Sequence, residues 1–153
     1  MLTRNLSILV VAILALGFAP KDEPNPEPPP DPSNLDGTWE LQSQTTTTGG
    51  VMKLSYSYKV TVKGKSWDQV LIRNGKQYAA VKYSIEADTK KKPAWLDLTR
   101  AGNRIIMRGI YEVKGDTLRF CYVSATSTTI PRPSSFTDKT RSYYIMTFKK
   151  VKK

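Results

Sequence analysis

The chain has 153 residues, 39% of them hydrophobic, with no histidine, one cysteine and a formal net charge of +11. That length furnishes one domain with one modest core. The lack of histidine excludes Ser-His-Asp catalysis and the commonest metal ligand, and a lone cysteine excludes an internal disulfide and a thiolate metal cage.

Residues 1–19 begin with Arg4, continue as an apolar run from Leu6 to Ala19 and end in the small residues Gly17 and Ala19. This is the order of a secretory signal peptide, so export to the periplasm or beyond the bacterial envelope is expected. A helix over that run reaches only about 21 Å against roughly 30 Å of hydrocarbon, so no stable transmembrane span is expected. Pro20 directly after Ala19 makes the cut awkward, leaving cleavage after Gly17, or none, as alternatives. No cysteine follows the run, so no lipid-modified N-terminus is expected. Residues 20–34 open with "PKDEPNPEPPPDP", seven prolines and no large apolar residue, and predict an extended linker.

The folded domain is expected over 35–153. Residues 1–32 hold two bases and four acids, which leaves 22 bases, nine acids and a balance of +13 for the remainder. Such an excess favours anionic partners. Export makes an anionic envelope surface a more natural one than nucleic acid, which is not expected. Scattered lysines equally serve to protect strand edges.

Period-two apolar alternation with glycine turns predicts eight strands, at 37–45, 51–62, 66–73, 77–86, 94–100, 104–113, 117–125 and 142–151. In the second, Leu54, Tyr56, Tyr58, Val60 and Val62 share one side. In the fourth, Ala79, Val81, Tyr83 and Ile85 do so. In the seventh, Leu118, Phe120 and Tyr122 oppose Arg119 and Cys121, which predicts a small half-buried strand cysteine. Lys63-Gly64-Lys65, Asn74-Gly75, Gly102-Asn103 and Lys114-Gly115-Asp116 suit tight hairpins. The pattern predicts an all-β fold, an eight-stranded antiparallel up-and-down barrel. Such a barrel is either filled by side chains or holds one small ligand. The long connections 44–50 and 124–140 fall at one end, and a binding mouth is expected there.

Several motifs carry a resemblance. "LDGTW" at 35–39, "KPAWLDL" at 92–98, "RGIYEVKGDTLRFC" at 108–121 and "RPSSF" at 132–136 together resemble an uncharacterised lipocalin-like domain family of planctomycete bacteria, over about residues 35–151. The resemblance implies a lipocalin-like barrel, commonly exported, and brings no established activity. The lipocalin C-terminal helix has no counterpart before Lys153.

No residues are nominated as catalytic or metal-binding, and no cofactor is expected. Glu40, Asp68, Glu86, Asp97 and Glu112 lie in predicted strands, but no pattern pairs two of them for hydrolysis. An enzyme is not expected. The ligand-binding candidates are Tyr56, Tyr58, Tyr83 and Tyr122, which line a cavity or fill it, and Arg132 and Phe136 in the long loop. Arg132 either offers a bidentate anion contact or pairs with a strand acid such as Asp97 and pins the loop. The functional expectation is a non-catalytic module taking a small apolar or amphipathic ligand. The alternative is a filled barrel whose basic surface docks on anionic envelope components or a partner protein.

Overall fold

The computed structural model describes residues 35–102, 106–126 and 129–152; the expected signal peptide and linker lie outside them. Nine strands form: β1 (Gly37–Thr46), β2 (Ser57–Lys63), β3 (Ser66–Arg73), β4 (Lys76–Gln77), β5 (Val81–Asp88), β6 (Ala94–Arg100), β7 (Ile106–Lys114), β8 (Thr117–Ala125) and β9 (Tyr144–Lys150). There is no α-helix among the described residues. The sheet runs β2-β1-β9-β8-β7-β6-β5-β3-β4, and β2 also pairs with β3, so eight strands close into an antiparallel barrel with β4 as a short appendage of β3. The expected barrel is therefore the observed one.

Two expected strands are trimmed. Residues 51–56 stay irregular apart from a bridge between Val51 and Thr45, and β2 begins at Ser57. The run at 77–86 breaks at 78–80, after a hairpin in which Arg73 pairs with Lys76 and Asn74 takes a φ of 50°. A two-residue turn with its first residue at positive φ matches the twist of the strands it joins.

Alternation carries Trp39, Val60, Val62, Trp67, Ile85, Leu96, Leu98, Tyr111, Leu118, Phe120 and Phe148 into one buried cluster. Burial of each large apolar side chain contributes roughly 1.5–3 kcal/mol, so this interior dominates stability. The lower end is the end of the β2–β3 and β7–β8 hairpins, of the start of β1 and of the close of β9. There Leu35 is buried, Trp39 donates its indole N–H to the Leu35 carbonyl at 2.8 Å, and Asp36 accepts the Gly64 N–H at 2.9 Å. The Lys150 ammonium lies 5.1 Å from the Trp39 ring centroid. Gly37, at a φ of 135°, leaves room for that lysine, because a Cβ there would stand 2.8 Å from its Cε. The Gly-x-Trp pattern thus seals the barrel floor.

The β8–β9 connection departs from expectation. Instead of decorating the mouth, its described part, 129–143, runs down the outer wall as a strap. Beneath it a second cluster forms from outward-facing Ile110, Cys121 and Ile145 with Tyr143, packed by Val123 and Phe136. Cys121 is therefore wholly buried rather than half-buried. Burial pushes its thiol up to about 12, helped by the negative charge of Asp138. Asp138 organises the strap. One carboxylate oxygen accepts from the Thr140 hydroxyl (2.6 Å) and N–H (2.9 Å), the other from the Ser134 N–H (2.9 Å) and hydroxyl (2.7 Å). The Thr140 hydroxyl, the Ser134 N–H and their companions hold this carboxyl well below the usual range. The strap's return is stitched to the β1–β2 connection. Thr47 donates its hydroxyl to the Arg141 carbonyl at 3.1 Å, and its N–H to the Tyr143 carbonyl at 3.0 Å.

Gly109 lies where β7 meets β8. A Cβ on it would meet the Cys121 carbonyl oxygen at 2.2 Å, Phe120 Cε2 at 2.7 Å and Tyr122 Cβ at 2.9 Å. Its close neighbours are thus Phe120, Cys121 and Tyr122. Gly109→Ala should lower stability by about 2 kcal/mol or more in urea unfolding, because overpacking a filled core displaces backbone as well as side chains.

Asp138→Ala removes four acceptor contacts and should loosen the strap, raising the rate at which Cys121 reacts with a thiol reagent by about tenfold or more. The sign of the pH dependence follows from the same contacts. A depressed carboxyl contributes stability above the ordinary aspartate value of about 3.9 and loses it as the pH falls through the folded value. Labelling of the wild type, normalised to the unfolded chain at each pH, should stay flat down to about pH 4 and rise below it.

Candidate functional site

Polarity divides the barrel along its axis. The lower interior is hydrocarbon and aromatic ring, whereas the upper interior holds tyrosines and two glutamines.

Tyr56, Tyr58, Tyr83 and Tyr122, the four tyrosines singled out from the sequence, come together, and Tyr144 joins them. Rings of Tyr56 and Tyr58 lie 5.1 Å apart, and Tyr122 lies 5.0 Å from Phe120 in a stacked arrangement and 5.7 Å from Tyr144. The Tyr122 phenol is raised far above its ordinary value by burial, and further by Tyr58, Tyr144, Tyr56 and Tyr83. Burial, and then the neighbouring Tyr56, push Tyr58 up to about 12. Burial raises Tyr83 as well, against the opposing charge of Arg100. These phenols stay protonated at neutral pH, so they offer O–H donors and apolar ring faces without charge.

Two glutamines complete the group, neither foreseen as a site residue. The Trp67 indole donates to Gln69 Oε1 at 3.3 Å. Gln44 is 6% exposed, and its Nε2 donates to the Tyr122 hydroxyl at 3.5 Å. Its Oε1 is buried and has no hydrogen-bond partner among the described residues. A buried acceptor without a donor costs on the order of 1–3 kcal/mol. Gln44 reaches this position through a bulge. The β1–β9 register slips between Leu41 and Ser43, so Gln44 comes opposite Met146, an inward residue.

Exposed apolar side chains gather at the same end. Val51 and Met52 follow β1, Tyr78 follows β4 and Tyr144 opens β9, and all four are exposed. A rim of this kind suits contact with an apolar body.

Arg132 and Phe136 belong elsewhere. Arg132 forms a bidentate pair with Asp97, at 2.7 and 3.0 Å, donates also to the Gly109 carbonyl, and stacks 4.4 Å from the Trp95 ring centroid. Of the two readings offered for it, pairing with Asp97 is the observed one, and the loop it pins lies on the outer wall rather than at the mouth. Phe136 packs under the strap with the Arg119 guanidinium 4.4 Å from its ring centroid. Arg132 does line an outer groove of about 240 Å3 with Glu86, Asp88, Trp95 and Asp97. That groove is remote from the tyrosines. Among the described residues no group of three or more cysteines and carboxylates gathers as a metal-ligand set.

Gln44→Met keeps the volume and removes the orphan oxygen. It should raise stability by about 1 kcal/mol, read as a higher urea midpoint at unchanged slope.

The chain matches no protein-family model, no curated protein and no solved structure, so its functional reading rests on its own residues.

Proposed function

We propose that this chain is a non-catalytic, exported binding module that holds one small amphipathic molecule in the upper barrel. The observation that carries this reading is the buried, unpartnered Oε1 of Gln44 beside Tyr122. Buried polar groups are nearly always satisfied, and this acceptor, unlike the Arg132 Nε left without a partner in the outer fork, faces the barrel interior, where a bound donor would supply the partner. The molecule would bring a hydrogen-bond donor for Gln44, accept from a phenol such as Tyr58 or Tyr122, and lay its apolar part on the rings. A group with these features is neutral where it meets Gln44 and Tyr122, an amide and a protonated phenol, and Arg100 beside Tyr83 is the one charge at the edge of the cup among the described residues.

The arrangement of residues 1–19 and the proline run after them support export, and the motif resemblance supports a lipocalin-like family. Chemistry on a bound molecule has less support. The acids that pair with bases, Asp97, Glu112 and Asp116, sit on the outside or the floor of the barrel. None faces the tyrosines.

Native mass spectrometry of protein purified from its own envelope tests the proposal. A stoichiometric added mass is expected in the wild type. It should be lost in Gln44→Met and reduced about tenfold in occupancy-weighted affinity in Tyr122→Phe, one hydrogen bond being worth about that factor in a dry site. A bare wild-type mass, or an adduct indifferent to both substitutions, contradicts it.

A further inference from the structure

The wall of β3, β5 and β6 carries a second pocket, which meets the tyrosine group only at Tyr83. Register places Ser66 opposite Ser84 and Ser84 opposite Thr99, so three hydroxyl residues stand in one row across adjacent strands. Neighbouring strands lie about 4.8 Å apart, so these residues stand side by side along the pocket. Three cations surround the row. Lys65 precedes Ser66 in the turn, Lys82 lies two residues from Ser84 on the same face, and Arg100, in register with Tyr83 at the end of β6, lines the pocket from the other side of the strand. Together they wall a pocket of about 260 Å3. The turn is fixed, because the Lys65 carbonyl accepts the Ile85 N–H at 2.8 Å.

The charges here are not spent on one another. Arg108 and Arg132 pair with Asp97, Lys114 and Arg119 with Glu112, and Lys149 with Asp116, all on the β6–β9 side and the floor. Lys65, Lys82 and Arg100 have no carboxylate within ion-pairing distance among the described residues. Asp68 stands across from Lys82 in register, yet it accepts the Ser66 hydroxyl at 3.0 Å and does not line the pocket. The lining itself holds three cations and no carboxylate, with Asp68 and Glu86 flanking it on the outward face. The Ser84 hydroxyl gives its proton to the Thr99 carbonyl at 3.3 Å, and the hydroxyl of Thr99 has no protein partner among the described residues.

We propose that this pocket binds a tetrahedral oxyanion, the phosphate of a phosphomonoester, with Lys65, Lys82 and Arg100 supplying charge and the uncommitted Thr99 hydroxyl supplying direction. Arginine's planar fork and two mobile ammonium groups suit three different oxygens of one phosphate. The pocket is larger than a bare phosphate, leaving space for the group that carries it. A soluble ester and a phosphatidic acid headgroup present the same chemistry.

The test titrates isotopically labelled full chain with inorganic phosphate at fixed ionic strength, following the amides of Ser66, Ser84 and Thr99. Saturable shifts are expected at these three. Lys82→Gln and Arg100→Gln should each weaken binding about five- to tenfold, whereas Lys76→Gln, an equal charge change on β4, should leave it within about twofold. Non-saturating drift, or equal weakening by all three substitutions, overturns the proposal in favour of diffuse charge. Co-sedimentation with vesicles containing phosphatidic acid separates the sources. Sedimentation reversed by inorganic phosphate assigns the headgroup, and saturable phosphate binding without sedimentation assigns a soluble ester; both support the pocket.

Discussion

Closing a meander of eight strands gives every inward side chain the same interior, and that constraint governs this molecule. Once β2 pairs with β3 and β1 with β9, no sheet edge remains among the eight except where the two-residue β4 hangs on β3. What fills the interior then decides what the fold can do. Two tryptophans, Phe120 and Phe148 fill the lower part, with Trp67 meeting Phe148 edge-on at 5.8 Å and Phe120 at 6.3 Å. Above them the filling changes to phenols and amides. The aromatic packing is concentrated in one half of the barrel and the phenols and amides in the other.

The strap shows how the outside was recruited as well. Outward strand positions ordinarily meet water, but Ile110, Cys121 and Ile145 are apolar and need cover. Residues 129–143 supply it, held by the Arg132–Asp97 fork at one end and the Asp138 carboxylate at the other. Both devices tie the strap down through charged hydrogen bonds while burying hydrocarbon beneath it. The R-P-x-x-F motif is thereby explained by folding: its arginine reaches Asp97 and Trp95, and its phenylalanine closes the outer cluster against Arg119.

Strand positions and the barrel were legible in the chain because period-two alternation and glycine turns report local geometry directly. β3, β6 and β8 run over the residues expected of them. The four tyrosines were legible for the same reason, since parity within a strand assigns a face. Gln44 was not. It fell in a Thr-rich stretch that reads as loop, and counting by twos from Trp39 and Leu41 turns it outward; only the bulge after Leu41 turns it in. A bulge of one residue leaves no mark in composition. The strap was misplaced for a different reason. Its serines, threonines and prolines look like a solvated loop, and its hold on the wall comes from long-range contacts between Arg132 and Asp97, 35 residues apart.

The reading that joins these features is a barrel sealed at its floor and left with an unmet hydrogen-bond acceptor near its top. The most direct measurement observes that acceptor. Side-chain amide and tyrosine ring signals would be compared between protein purified from its own envelope and the same protein unfolded, stripped and refolded. The account predicts that stripping shifts the Gln44 amide and the Tyr122 ring while the indole signals of Trp39 at the floor stay in place. Identical spectra before and after, or changes confined to the floor, would contradict it.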